Sequence, residues 1–432
     1  MVVSFSRAVT LTPAPCRRFE GSSGLKSNQW REIVGPAIGD SSRLSRLIET
    51  SNSSCERGDA AVCLRARIIA SLEDQGIALS DRRTSLDFNN DKEALRRLHH
   101  VAVQHAIDRS RPGLERHQET LLRRIASGSE VNPTSIRPTL VEVVAGTEDE
   151  LLFRFAKLHW SVPVSAGYGR RLRFLVIDES TSKLMGLIGL GDPVYALGPR
   201  DQWAGWDTDA KRTRIGCVMD AFVLGAIPPY NMLLGSKLVA LAACSQEVIE
   251  AFQEKYATRR SLIANQQPIA GLALITTTSA LGRSSVYNRL RMGNNKIFRS
   301  VGFTKGSGEF QFANDLYKDL LQFVREHSAP SAKHADWGTG FRSKREVVLK
   351  ALSILGLPQA LIYHGVRREV FVAPLATNTR EFLSGRDPDL SRESRSMREI
   401  AEFFHDRWLL PRASWDHRYT SFRADSYALW KR

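Results

Sequence analysis

The sequence predicts an α+β protein: a mixed-sheet core, an N-terminal helical region before it and a small α/β region after it. Three observations carry this. Residues 60–130 hold apolar side chains at helical spacing. Residues 139–328 alternate short β-branched runs with longer amphipathic ones. Residues 333–432 add further short elements of both kinds. The chain has 432 residues, of which 42% are hydrophobic, so it has the length and composition to bury real cores.

Residues 1–59 are rich in Ser, Arg, Gly and Pro and predict a largely irregular segment, with a short helix at Ser42–Thr50. Val62, Leu64, Ile68, Ile69 and Leu72 then mark a helix that Gln75-Gly76 ends. Asp91 caps a second helix through Leu95, Leu98 and Val101 to Ser110, which Pro112 breaks. Leu114–Ser127 is a third. The string N-P-T-S-I-R-P at Asn132–Pro138 reads as a linker.

In the core, Leu140–Val144 is a strand and Glu148–Trp160 a helix. Leu172–Asp178 and Lys183–Leu190 form a hairpin around Asp178–Ser182. Arg214–Val223 is a further strand. Leu233–Tyr256 carries Leu234, Leu238, Leu241, Val248 and Phe252 along one stripe, which predicts one long amphipathic helix. Gly271–Thr277 is a strand, Ile297–Phe303 and Gly308–Phe312 a last hairpin, and Leu316–His327 a closing helix. Beyond it come a charged stretch at Lys333–Arg345, a helix to Leu355, strands at Ala360–Tyr363 and Glu369–Ala373, and a helix at Met397–Trp408.

Lys and Arg number 61 against 46 Asp and Glu, a formal charge of 61 − 46 = +15. This excess points to a polyanion, nucleic acid before an anionic membrane, against the plainer reading of a soluble basic surface. There is no apolar run of about 18 residues to span a membrane and no signal-like apolar stretch at the N-terminus. Five scattered cysteines, none in C-x-x-C spacing, argue against a disulfide framework or zinc ribbon and for a cytoplasmic setting. No P-loop and no H-E-x-x-H is present, and no metal ligand set is predicted. Gly186, Gly189 and Gly191 in G-L-I-G-L-G lack dinucleotide-binding spacing.

The stretch Thr276–Leu290 holds six Ser/Thr hydroxyls beside Arg283, Tyr287, Asn288 and Arg289, and every charged residue from Arg283 to Lys305 is basic. Hydroxyls, guanidinium groups and a helix start suit an anion such as phosphate. Thr277, Thr278, Ser279, Arg283, Asn288 and Arg289 are therefore the candidate anion or nucleic-acid ligands. The alternative is a strand end and helix cap with solvated arginines. Arg170 and Arg171, at the start of the first hairpin, are candidates to join them. Trp203 and Trp206, within Arg200–Asp207, either stack on a base or a cofactor ring or anchor a loop.

Asp220 lies in an apolar run and needs a partner. It and Tyr287 are the candidate catalytic residues, with a structural ion pair as the alternative for Asp220. Asp178, Asp192 and Asp220 together leave open a metal-dependent nuclease or transposase-like site.

The order hairpin, strand, long helix, strand, helix, followed by R-S-V-G-F at Arg299–Phe303, resembles a GNAT-type acyltransferase core. In that resemblance Gly235, Ser236 and Lys237 form the possible cofactor turn that would hold the pyrophosphate of CoA. The turn Tyr230–Gly235 has one glycine where the family pattern has two, so the loop signature is incomplete and the cofactor stays open.

Longer strings resemble the DruA family. They are W-S-V-P-V-S-A-G-Y-G-R-R-L-R-F-L-V at Trp160–Val176, G-L-I-G-L-G-D-P-V at Gly186–Val194 and M-D-A-F-V-L-G-A-I-P-P-Y-N at Met219–Asn231. With them go T-T-T-S-A-L-G-R-S-S-V-Y-N-R-L at Thr276–Leu290 and H-G-V-R-R-E-V-F at His364–Phe371. The resemblance implies a part in the Druantia anti-phage defence system, in company with other Druantia components including a helicase-like protein. It carries over no catalytic residues. Four readings stay open: a nucleic-acid-associated protein with an acyltransferase-like core, an active CoA-dependent acyltransferase, a metal-dependent nuclease, and a non-enzymatic scaffold.

Overall fold

The computed structural model describes residues 57–75, 92–164, 169–257, 271–282, 284–312, 315–331, 337–338 and 341–431. The irregular stretch and short helix expected in residues 1–56, and the cap at Asp91, lie outside these. The described elements begin with α1 (Arg57–Asp74), α2 (Lys92–Leu114), α3 (Gln118–Leu122), β1 (Pro138–Glu142) and α4 (Glu148–Lys157). Next come β2 (Arg171–Asp178), β3 (Lys183–Gly191), α5 (Gly198–Ala204), α6 (Thr208–Arg214), β4 (Val218–Ala226), α7 (Gly235–Ala242) and α8 (Gln246–Tyr256). Then follow β5 (Leu274–Thr278), β6 (Arg291–Met292), β7 (Asn295–Lys296), β8 (Arg299–Phe303), α9 (Asp315–His327) and α10 (Phe341–Ile354). The last are β9 (Glu369–Pro374), α11 (Thr379–Leu383), α12 (Met397–Phe404) and α13 (Leu410–Ala413).

Two compact units result. The smaller takes α1 up to Leu72, with α9 and α10. It buries Ile68, Leu72, Leu320, Val324, Val347 and Leu352, and Arg67 pairs with Asp319 at 2.8 Å.

The larger unit is built on a mixed seven-stranded sheet of order β1-β2-β3-β4-β5-β9-β8. The pairs β1–β2, β2–β3 and β3–β4 are antiparallel. β4 and β5 run parallel, but only from Val218↔Leu274 to Asp220↔Thr276. β9 pairs antiparallel with β5 on one side and β8 on the other. Strand alternation sorts side chains onto two faces. Leu172, Phe174 and Val176 join α7, α8 and α12 in one core, with Leu238, Phe252 and Ile400. Leu175 and Ile177 face the other way, toward Phe153, Phe155, Tyr427 and Trp430. Val218 and Leu274 lie in a smaller cluster with Phe382. The C-terminal segment is tied down by Gln118, whose amide bonds the backbone of Leu429 and Trp430.

The glycines of G-L-I-G-L-G have a packing role. A Cβ at Gly189 would lie 2.6 Å from the Phe222 ring, and one at Gly186 would lie 2.6 Å from Val239. Phe222 is the extra residue of a bulge where Gly189 pairs with Val223 and Leu190 with Ala221.

Several expected elements differ. The single helix over Leu233–Tyr256 is two, because the Ser245 hydroxyl accepts from Val248 N–H and caps a new helix. The strand expected from Arg214 starts at Val218. The residues before it form α6, capped by Asp207 accepting from Ala210 N–H at 2.8 Å. Helix α2 continues through Pro112 to Leu114, and the third helix is reduced to a 3-10 turn and α3. The hairpin of Ile297–Phe303 with Gly308–Phe312 is not formed. β8 pairs with β9, and Phe310–Phe312 is a 3-10 turn. Residues 359–362 are likewise a turn. β9, read as part of a separate C-terminal region, sits inside the central sheet.

Candidate functional site

Asp220 is held by two donors. The Thr276 hydroxyl bonds Oδ1, since the two residues are in register, and Val194 N–H bonds Oδ2 at 2.8 Å. Burial raises its carboxyl to about 6, against the pull of Val194 N–H and the Arg200 charge. Around it the charges are paired. Arg170 bonds Asp192 at 2.6 Å and the carbonyl of Gly216 at 2.7 Å, with its guanidinium over the Phe252 and Tyr256 rings. Arg200, fully buried, bonds Asp201 at 2.7 Å, and Lys211 bonds the same carboxylate at 2.8 Å. The Arg200 Nη1 and Trp206 Nε1 atoms are buried without a partner among the described residues.

Tyr287 is on the other face of the sheet, in the core with Met219, Ala221 and Ile275. Alternation places Asp220 with Val218 instead, so the two candidate catalytic residues do not meet. Burial pushes the Tyr287 phenol up to about 12. Its hydroxyl donates to the carbonyl of Leu224 at 3.5 Å, and Thr277 donates to that of Ala221 at 3.1 Å. Thr278 closes β5, and Ser279 N–H donates to the Glu369 carbonyl at 2.8 Å. The Asn288 amide donates to the buried Glu369 carboxylate at 3.2 Å. Arg283 lies outside the described residues. The Arg171 backbone exchanges hydrogen bonds with the Tyr256 hydroxyl.

Gly235 and Ser236 open α7. A Cβ at Gly235 would lie 2.7 Å from the Tyr230 carbonyl, and the Ser236 hydroxyl accepts from Ala226 N–H at 3.2 Å. Lys237 points its ammonium over the Trp408 ring at 4.7 Å. Burial first, then the charges of Arg407 and Arg289, hold that ammonium below the usual lysine range. Two residues predicted for different sites, Lys237 and Arg289, are thus brought near each other. The three acids of the nuclease reading are not: Asp178 and Asp192 stand at opposite ends of the β2–β3 hairpin. Among the described residues no three metal-ligating side chains converge.

A cleft of about 700 Å³ opens beside the β5–β9–β8 part of the sheet. Leu241, Met292, Ile297, Leu375 and Ile400 give it an apolar lining, and Trp203 stands in its wall. Lys296, Arg299, Arg380 and Arg395 supply positive charge, and Glu381, Glu393 and Glu399 negative. Glu381 has Arg386 at 3.6 Å, and Glu399 is committed to the cap at Ser396. Lys296 and Arg299 have no carboxylate partner among the described residues and belong to the all-basic stretch read from the sequence. Arg380 and Arg395 as cleft residues were not legible there, whereas Trp203 was named for stacking or for anchoring a loop. Arg380 bonds the Trp203 carbonyl at 2.8 Å and lies over its ring, a pairing across 177 positions.

A family model described as Druantia protein DruA matches residues 89–385. The chain belongs to the DruA family. The curated Druantia protein DruA of Escherichia coli (strain UMEA 4076-1) is 40% identical over 370 residues, which cover 85% of this chain and 89% of that relative. No solved structure matches. The DruA-matched span holds Trp203, Lys296, Arg299 and Arg380, whereas Arg395, Ile400 and Arg407 lie past its end. No described helix is long and apolar enough to cross a membrane.

Proposed function

We propose that this DruA-family chain is a component of Druantia anti-phage defence that holds nucleic acid in the cleft beside β8 and β9. The observation that carries the reading is the gathering of Lys296 and Arg299, unpaired among the described residues, into one concave surface. Unpaired cations repel one another, and when they neutralise phosphates the counterions condensed on the nucleic acid are released. On this reading the partners are the other Druantia components, the helicase-like protein among them, and the setting is the cytoplasm.

Fluorescence anisotropy with a labelled DNA strand at rising salt tests it. Affinity should fall steeply with salt, and Lys296→Ala and Arg299→Ala should each flatten the log–log slope by about 0.7–0.9. No binding at low salt would overturn the reading.

A second reading is favoured by the sheet. The strand order, the bulge at Phe222 and the parting of β4 from β5 after three register pairs support an acyltransferase-like, GNAT-type core. Against CoA as its cofactor stand the single glycine of the α7 turn, occupied in packing on Tyr230, and the β4 carbonyls already bonded by Thr277 and Tyr287. Calorimetry with acetyl-CoA decides this, and an absence of binding heat removes it.

A further inference from the structure

The cleft does not stop at its lining residues. Helix α7 contributes Leu241 and the turn after it Cys244, and Lys237 lies one turn before Leu241 on the same face. Helix α12 contributes Glu399 and Ile400, and its continuation carries Arg407 and Trp408 through a π-helical turn at His405–Leu409. The loop that supplies Met292, Asn295 and Lys296 begins just after Arg289. Contact of Lys237 with the Trp408 ring places the outer ends of these walls together. Lys237 and Arg407 are carried by two of these walls, and Arg289 stands just before the third. None has a carboxylate partner among the described residues, and the lysine feels both guanidinium groups. Arg299, Arg380 and Trp203 line the cleft itself.

The result is a track in which these cations flank an apolar middle of Leu241, Met292, Ile297, Leu375 and Ile400, with Glu381, Glu393 and Glu399 also in its wall.

We propose that the track binds a single strand of nucleic acid, with phosphates on its cations and unstacked bases on the apolar middle and Trp203. This rests on the nucleic-acid reading above and narrows it. A duplex keeps its bases stacked inside and presents phosphates outward, so it has nothing to lay on leucine, methionine and isoleucine. A splayed strand offers both, and an aromatic ring in a basic groove is the usual stacking platform. An acidic peptide would satisfy the cations but leave the apolar middle and Trp203 unused.

The test compares one labelled oligonucleotide as a single strand and as a duplex, by anisotropy on the full chain at fixed salt. The single strand should bind at least about tenfold tighter, given that both forms offer phosphates but only the single strand offers bases to stack. Lys237→Gln with Arg407→Gln should weaken it and flatten its salt slope by about 1.4. Trp203→Ala should cost about 5- to 100-fold, and Trp203→Phe should recover most of that. An unchanged circular dichroism spectrum and melting temperature show that each variant is folded. Equal or tighter duplex binding overturns the single-strand inference while leaving the nucleic-acid reading standing. Loss of binding to both forms in the unmodified chain sinks that reading and this one with it. Strand binding untouched by all three substitutions overturns the assignment to this track, as does poly-glutamate competing as well as an equal charge of single strand.

Discussion

The surroundings of Asp220 and the cleft beside β8 are both rich in charge, and they treat it in opposite ways. Around Asp220, Arg170 has Asp192, and Arg200 and Lys211 share Asp201. In and beside the cleft, Lys237, Arg289, Lys296, Arg299 and Arg407 have no carboxylate partner among the described residues. Paired, desolvated charges hold a fold in one arrangement. Like charges kept together without partners cost stability, and a ligand can take up what the fold leaves unspent. The difference separates the residues that build this sheet from those available to act.

The sharpest break would come from Arg170→Ala. It strands Asp192 in a mostly buried setting and should lower stability by about 3 kcal/mol, read by chemical denaturation. Strand affinity per folded molecule should stay unchanged, and a parallel loss of affinity would erase the contrast.

Gly189→Ala comes next. Its Cβ would press on the Phe222 ring and the β3–β4 bulge, for a cost of about 1–3 kcal/mol, seen as a lower melting temperature.

Lys296→Ala with Arg299→Ala sharpens the comparison from the other side. Melting should shift by no more than about 0.5 kcal/mol of stability, because no partner is lost, while strand binding weakens.

The last effect is on pH dependence. Burial holds the folded Asp220 carboxyl at about 6, above its ordinary 3.8, so the folded chain binds more protons between these values. Stability should therefore fall as pH rises from about 4 to 6 and level off above. Asp220→Asn should remove that part of the slope in a melting-temperature series. An identical slope in both proteins would show that the carboxyl is not perturbed.

What the sequence made legible follows the range of the forces involved. The β2–β3 hairpin was readable because its register is local and Leu172, Phe174 and Val176 alternate with Arg173, Leu175 and Ile177. The break at Ser245 was hidden because the apolar stripe of Leu238, Leu241, Val248 and Phe252 continues through it, and only the cap geometry interrupts the helix. β9 was visible as a strand but not as the neighbour of β5, since that pairing joins Thr276 to Val372 across almost a hundred residues. The basic run to Lys305 was visible as charge. That it faces Arg380 and Trp203 is a tertiary fact with no local signal. Asp220 stood out as a polar group in an apolar run and Tyr287 as an aromatic in a hydroxyl-rich one, and their parting onto opposite faces had no local signal because Tyr287 lies in a turn beyond β5.

The place of β9 in the sheet also imposes an order of events. β8 has no neighbour in the sheet except β9, and β9 is made about seventy residues later. While the chain is being synthesised, Arg299 and its strand must wait unpaired until Glu369–Pro374 arrives and enters between β5 and β8. The binding surface therefore has no half-built form on a nascent chain. It comes into being only after the greater part of the polypeptide has been made, so on the proposed function a growing chain does not engage a strand there before its own sheet has closed.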